Sequence, residues 1–185
     1  MTKKIKILLV ILVLAFIGSA IYVIIQKKKT SDLELVPLSE RARYLNTHSK
    51  LAKIAATHLE EMVMDAEKEG ICLIVLSGYR SKEDQQRIWD KAEDKSIVAL
   101  PGKSEHETGL AVDLGGCPMI DGVRNDAGER LELRNDFETL PEYQWLKENA
   151  AKYGFYQSFT AENQNKTGFP AEGWHWKFKY SIWQK

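Results

Sequence analysis

The chain has 185 residues, 44% of them hydrophobic and 28% charged, a composition that suits one globular domain and excludes a disordered chain or two full-sized domains. Formal charge is zero, but six of the 26 basic residues are lysines within the first thirty positions, which hold no acid. The remainder carries 20 basic against 26 acidic side chains, a net of −6, which excludes a nucleic-acid partner that needs a basic face.

Ile7 to Ile25 runs 19 positions without a charge, with lysines on both flanks. That length predicts a membrane-spanning helix, which needs about 20 apolar residues. Gly18-Ser19-Ala20 resembles the small-residue site of a cleaved signal peptide, but the apolar run continues past it with no polar spacer, so an uncleaved anchor is expected. The division is residues 1–29 as N-terminal tip and anchor, 30–38 as linker and 39–185 as the folded domain; lysines on both flanks give little charge bias for orientation.

Ser39 is placed to cap a helix. Leu51, Ile54, Ala55, Leu59, Met62, Val63 and Ala66 have helical spacing, closed by Gly70. His48 and His58 fall in this region and are read as surface or packing residues. Ile71 to Leu76 is a continuous apolar run, read as a central strand. Ser77-Gly78-Tyr79-Arg80 turns the chain, and Ser81 with Asp84 forms a capping box for a helix through Gln85, Ile88, Trp89 and Ala92. After a loop containing Pro101-Gly102, His106 sits in a loop or first helical turn. Gly109 breaks that turn, and Leu110 to Leu114 is a buried strand carrying Asp113. Residues 115–134 are polar, with turn signals at Asp121-Gly122 and Asp126-Ala127-Gly128, and predict a hairpin or ordered loop. Pro141 opens a helix containing Tyr143, Trp145, Leu146 and Ala150. Strands follow at Tyr153 to Tyr156 and at Gly173 to Tyr180. In the last, Trp174, Trp176, Phe178 and Tyr180 alternate with His175, Lys177 and Lys179. The expected fold is a small α+β domain with helices packed on one antiparallel sheet, preceded by the transmembrane helix. Cys72 and Cys117 fit no metal-finger spacing; they pair if the domain lies outside the cytoplasm, and otherwise Cys72 is a buried thiol in its strand.

Asp113, set among apolar neighbours, is costly to desolvate unless paired or bound to a metal. With His106 seven positions earlier it supplies half of a zinc site, and His175 at the far end of the chain is the candidate third ligand, leaving a fourth position open for water. Glu172, three residues before His175, is the candidate general base, provided that the chain bends at Gly173 so that both side chains face inward. Each of these residues alone is more often a surface or ion-pairing group; their joint order carries the reading. HExxH and GxSxG are absent, and neither cysteine lies in a nucleophile motif.

Three ordered motifs carry a family resemblance. They are Ser77-Gly78-Tyr79-Arg80-Ser81, then Ser104-x-His106-x-x-Gly109-x-Ala111-x-Asp113, then Glu172-x-x-His175. Together, over roughly residues 71 to 180, they resemble the zinc peptidases that trim bacterial peptidoglycan stem peptides, the D,D-carboxypeptidases of the VanY type with their L,D-carboxypeptidase relatives. The resemblance implies Zn²⁺ on His106, Asp113 and His175, and Glu172 as base. It also implies Arg80 as the group that stabilises the oxyanion or holds substrate, with Gln85 and Ser104 as substrate contacts. Gly173 after the glutamate is a modest departure from the family pattern. The implied substrate is a stem peptide ending in D-Ala-D-Ala outside the membrane, which puts the amino-terminal tip, residues 1–29 with the anchor, on the cytoplasmic side; a monomer is expected. Such trimming can destroy the target of glycopeptide antibiotics. L,D-carboxypeptidase or endopeptidase cleavage on the same scaffold is the alternative, and a wall-binding module without catalysis is the alternative of a different class.

Overall fold

The computed structural model describes residues 3–42, 49–117, 119–120, 123–124 and 137–182. Helix α1 (Lys3–Asp32) carries the apolar run. Among the described residues it is the one helix long and apolar enough to cross a membrane, and none of its apolar span is buried against protein. The helix continues through the three lysines, so residues 30–32 of the expected linker close it. Two residues later β1 (Leu35–Pro37) pairs antiparallel with β2 (Lys50–Ala52). Ser39 heads a turn, not a helix: the Ala42 N–H donates back to its carbonyl at 3.2 Å. His48 lies outside the described residues.

Helix α2 (Lys53–Lys68) buries Ala55, Ala56, Leu59, Met62, Val63 and Ala66 on one face. Leu51, which has the spacing to open this helix, belongs to β2 instead. Its neighbour Ala52 donates its N–H to Gly109 O at 2.8 Å, so tertiary pairing overrides local periodicity there.

Strand β3 (Leu73–Ser77) leads through the Ser-Gly-Tyr-Arg turn to α3 (Lys82–Lys91). Ser81 caps that helix, its Oγ accepting from the Asp84 N–H at 3.1 Å. Strand β4 (Ala111–Gly116) follows the His106 turn. The short β5 (Met119–Ile120) and β6 (Val123–Arg124) pair antiparallel, while the turn signals at 121–122 and 126–128 lie outside the described residues. Helix α4 (Pro141–Asn149) starts at its proline. Strand β7 (Phe155–Gln157), the short α5 (Gln164–Thr167) and β8 (His175–Phe178) complete the chain.

The main sheet has the order β3-β4-β8-β7, antiparallel throughout. Alternation sorts its side chains. Leu73, Val75, Val112, Leu114, Trp176 and Phe178 join α2 and α4 in the core, and Asp113 and His175 point from the opposite face. This is the α+β architecture of helices on one antiparallel sheet. Cys72 and Cys117 are joined in a disulfide with Cα atoms 5.3 Å apart, tying the start of β3 to the end of β4.

Gly109 lets the site turn meet the sheet. Its φ is +69°, and a Cβ there would stand 2.7 Å from Leu35 Cδ2 and 3.2 Å from Ala52 N. Gly109→Ala is expected to cost about 1–3 kcal/mol in urea unfolding, because alanine in the left-handed region is strained before any clash is counted. An unchanged midpoint would show that β1 and the turn give way freely.

Candidate functional site

Asp113 sits at the middle of the sheet, and register decides its neighbours. It pairs directly with Ser77 on β3 and with His175 on β8. Directly opposed residues of antiparallel strands place their side chains on one face about 5 Å apart, so Asp113 and His175 meet without any loop having to bring them together. His106 comes from the 3-10 turn Glu105–Thr108 just before β4. That turn is stitched to the Ser77–Ser81 corner of the fold: the Arg80 N–H donates to His106 O at 3.3 Å, and His106 Nδ1 donates to Gly78 O at 2.8 Å.

The donor atoms converge. Asp113 Oδ2 is 3.3 Å from His106 Nε2, and Asp113 Oδ1 is 3.0 Å from His175 Nδ1. One ligand atom from each of the three residues lies within 4.8 Å of the others, and all three are buried. Metal bonds of about 2.0–2.2 Å arranged tetrahedrally put neighbouring donors about 3.3 Å apart, a spacing that the two imidazole–Asp113 distances approach. His, Asp, His is also a donor set of the right chemistry.

Electrostatics point the same way. Burial alone would raise the Asp113 carboxyl, but the attraction and hydrogen bonds of His106 and His175 overturn that and hold it well below the usual carboxylate range. Burial would lower His175, yet its bonds to Asp113 and Glu105 push it up to about 9. The carboxylates thus favour positive charge where the donors meet, whether on an imidazole or on a cation. Glu172 lies beside them, its Oε2 3.9 Å from His175 Nδ1. Burial raises its carboxyl to about 7, against the pull of His175 and with the help of Asp113 and Glu105. The bend expected at Gly173 is present as a turn, the His175 N–H donating to Glu172 O at 3.2 Å. A Cβ on Gly173 would stand 2.6 Å from Glu138 Cγ, so the turn packs directly on that side chain.

Arg80 projects from the first motif. Its guanidinium donates to Gln85 Oε1 at 2.8 Å and Ser77 Oγ at 3.1 Å, and stands 3.9 Å from Asp113 Oδ2. Gln85 is 1% exposed and also donates to Ala99 O, so its amide is engaged at both ends. Ser104 is buried at the head of the His106 turn. All seven predicted site residues line a single cleft of about 430 Å³, with Ile88, Ile97, Phe159, Phe169 and Trp174 among its apolar walls. A larger hollow of about 1020 Å³ lies along the end of α1 between Tyr22 and Glu34, far in sequence from any of these groups.

Two side chains at the site carry no prediction from the sequence. Glu105 accepts from His175 Nε2 at 3.0 Å and from Lys177 Nζ at 2.7 Å. The only signal for Glu105 in the sequence is adjacency to His106, which by itself says nothing about which residue it meets. Lys177 is readable in part, because strand alternation puts it on the same face as His175.

A family model for VanY, D-alanyl-D-alanine carboxypeptidase, matches residues 48–181. The chain belongs to that family. Among VanY relatives, a D-alanyl-D-alanine carboxypeptidase of Enterococcus faecalis is 32% identical over 137 residues, covering 65% of this chain and 45% of its own. The LdcB LD-carboxypeptidase superposes with TM-score 0.65 at 33% identity, over 80% of this chain and 68% of that one. The vancomycin-resistance D,D-pentapeptidase VanY of a VanB-type cassette, solved as a point mutant in complex with Zn(II), superposes with TM-score 0.58 at 29% identity, over 80% of this chain and 79% of that one. The chain spans about half the length of the first curated VanY relatives that it matches.

Proposed function

We propose that this VanY-family chain is a zinc-dependent D-alanyl-D-alanine carboxypeptidase that removes the terminal D-alanine from peptidoglycan stem peptides. The observation that carries the reading is the convergence of His106, Asp113 and His175 within 4.8 Å, with Glu172 beside them in a cleft. His106 Nε2, Asp113 and His175 Nδ1 would hold the ion, which would supply a Lewis acid to polarise the scissile carbonyl. Glu172 takes a proton from the attacking water and returns it to the leaving amine, so that peptide and water become a carboxylate and free D-alanine. Arg80, held by Gln85 and Ser77, directs its guanidinium into the cleft, where it stabilises charge developing on the carbonyl oxygen. Ser104 and the Gln85–Arg80 pair orient the substrate.

The anchor α1 holds the enzyme, as a monomer, at the membrane with the domain outside. The Cys72–Cys117 disulfide supports that side, because such bonds persist in oxidising compartments.

L,D-carboxypeptidase action is the second reading, favoured by the likeness to LdcB. Mass spectrometry of products from a pentapeptide ending in D-Ala-D-Ala, set beside the tetrapeptide one residue shorter, separates the two. The expected result is one alanine from the pentapeptide and none from the tetrapeptide, with activity lost on chelation and restored by zinc. Alanine from the tetrapeptide alone would transfer the assignment to the L,D class. Activity indifferent to chelator would remove the metal, and no release from either peptide together with no bound zinc would leave a binding module.

A further inference from the structure

We propose that Glu105 is a positioning residue that fixes the tautomer and ring orientation of His175, so that Nδ1 is the nitrogen presented to the metal. This inference rests on the zinc reading above and deepens it.

An imidazole ligates through a nitrogen that has lost its proton, and the other nitrogen must then carry one. Which nitrogen is free is decided by what the other one faces. His106 Nδ1 faces a backbone carbonyl, Gly78 O, at 2.8 Å. A carbonyl can only accept, so Nδ1 carries the hydrogen and Nε2 is free. On His175 the arrangement is reversed. Nε2 faces Glu105 Oε2 at 3.0 Å, and an ionised carboxylate is acceptor-only. Both ring nitrogens face a carboxylate at 3.0 Å, but Asp113 belongs to the donor cluster and Glu105 does not, so Nδ1 is the nitrogen on the metal side and Nε2 the one that keeps its proton for Glu105. The two histidines thus use opposite ring nitrogens, and each is set by a different outer acceptor. Carboxylate–histidine–metal relays of this kind raise ligand basicity as well as fixing geometry.

Glu105 is held from more than one direction. Ser158 Oγ donates to Oε2 at 2.6 Å and Lys177 Nζ to Oε1 at 2.7 Å. Both donors flank the metal face: Ser158 follows β7, and Lys177 lies two residues beyond His175 on the same side of β8. With a hydroxyl and an ammonium donating to its two oxygens, the Glu105 carboxylate meets the His175 ring as an acceptor. Phe159 packs against the His175 ring at 4.9 Å between centroids and limits its rotation further.

The competing role is a plain ion pair between Glu105 and Lys177 with no bearing on the metal. Zinc affinity of the full chain in detergent, by competition with a chelator, separates them. Glu105→Ala is expected to weaken zinc binding about 10–100-fold. Glu105→Gln, whose amide oxygen can still accept from Nε2, is expected to recover most of that loss. Lys177→Met, which breaks the ion pair and leaves the acceptor, is expected to stay nearer wild type than Glu105→Ala. An affinity for Glu105→Ala within twofold of wild type overturns the proposal while leaving the zinc reading intact. A wild-type chain that binds no zinc overturns both. A variant-free readout covers the case in which Glu105→Ala does not fold. Nitrogen NMR of the zinc-loaded wild type should show the His175 proton on Nε2, and a proton on Nδ1 with zinc on Nε2 overturns the assignment.

Discussion

Glu172→Gln is expected to bind zinc as wild type does and to release alanine about 10²–10⁴-fold more slowly. Glutamine keeps the volume and the place in the turn that ends at His175, but it cannot accept a proton from water or pass one to the amine. Glu172 Oε2 lies 3.9 Å from His175 Nδ1, near enough to serve whatever reacts at the ion yet outside the three-residue donor cluster. Two measurements on the same sample check it: bound zinc by native mass spectrometry and alanine release from the pentapeptide. Full turnover would unseat Glu172 as the base. Loss of zinc would show instead that its carboxylate is a ligand.

Asp113→Asn is expected to be the most damaging change at the site, removing zinc at stoichiometric metal and reducing hydrolysis to background. Asparagine is nearly isosteric, so the strand should still pair with Ser77 and His175. What it lacks is the charge that both imidazoles face, at 3.3 and 3.0 Å. Losing an inner ligand should cost more affinity than the ~10–100-fold that follows loss of an outer partner. The comparison with Glu105→Ala is therefore informative: the Asp113 variant should be the weaker binder. Retention of tight zinc by Asp113→Asn would mean that the ion sits elsewhere in the cleft, and the proposed chemistry would fail with it.

How much of this was open to reading from the sequence depends on how far each residue had to travel to its partner. The capped start of α3 at Ser81, the proline start of α4 and the turn broken at Gly109 are decided within a few residues, and the structure places them as read. Leu51 shows the limit. Its spacing fits α2, but its backbone lies in β2, paired with β1 from a segment with no helical or strand signal of its own. Ser39 fails for a related reason: a residue suited to capping still needs a helix after it, and the described chain there is a turn.

His106, Asp113 and His175 are legible because their motifs keep fixed local offsets and because a carboxylate among apolar strand residues demands a partner. The bend at Glu172 to His175 is legible from Gly173. The amino-acid order alone also determined the membrane-length helix and the α+β class, since both follow from short-range periodicity and length. Two features were decided only by the folded chain. Glu105 meets His175 across 70 positions, and Cys72 joins Cys117 across 45. Both depend on the strand order β3-β4-β8-β7 and its register, which the packing of α2 and α4 on one face selects for the sheet as a whole. A one-residue slip in that register would send every alternate side chain to the other face, so no local stretch can specify it by itself.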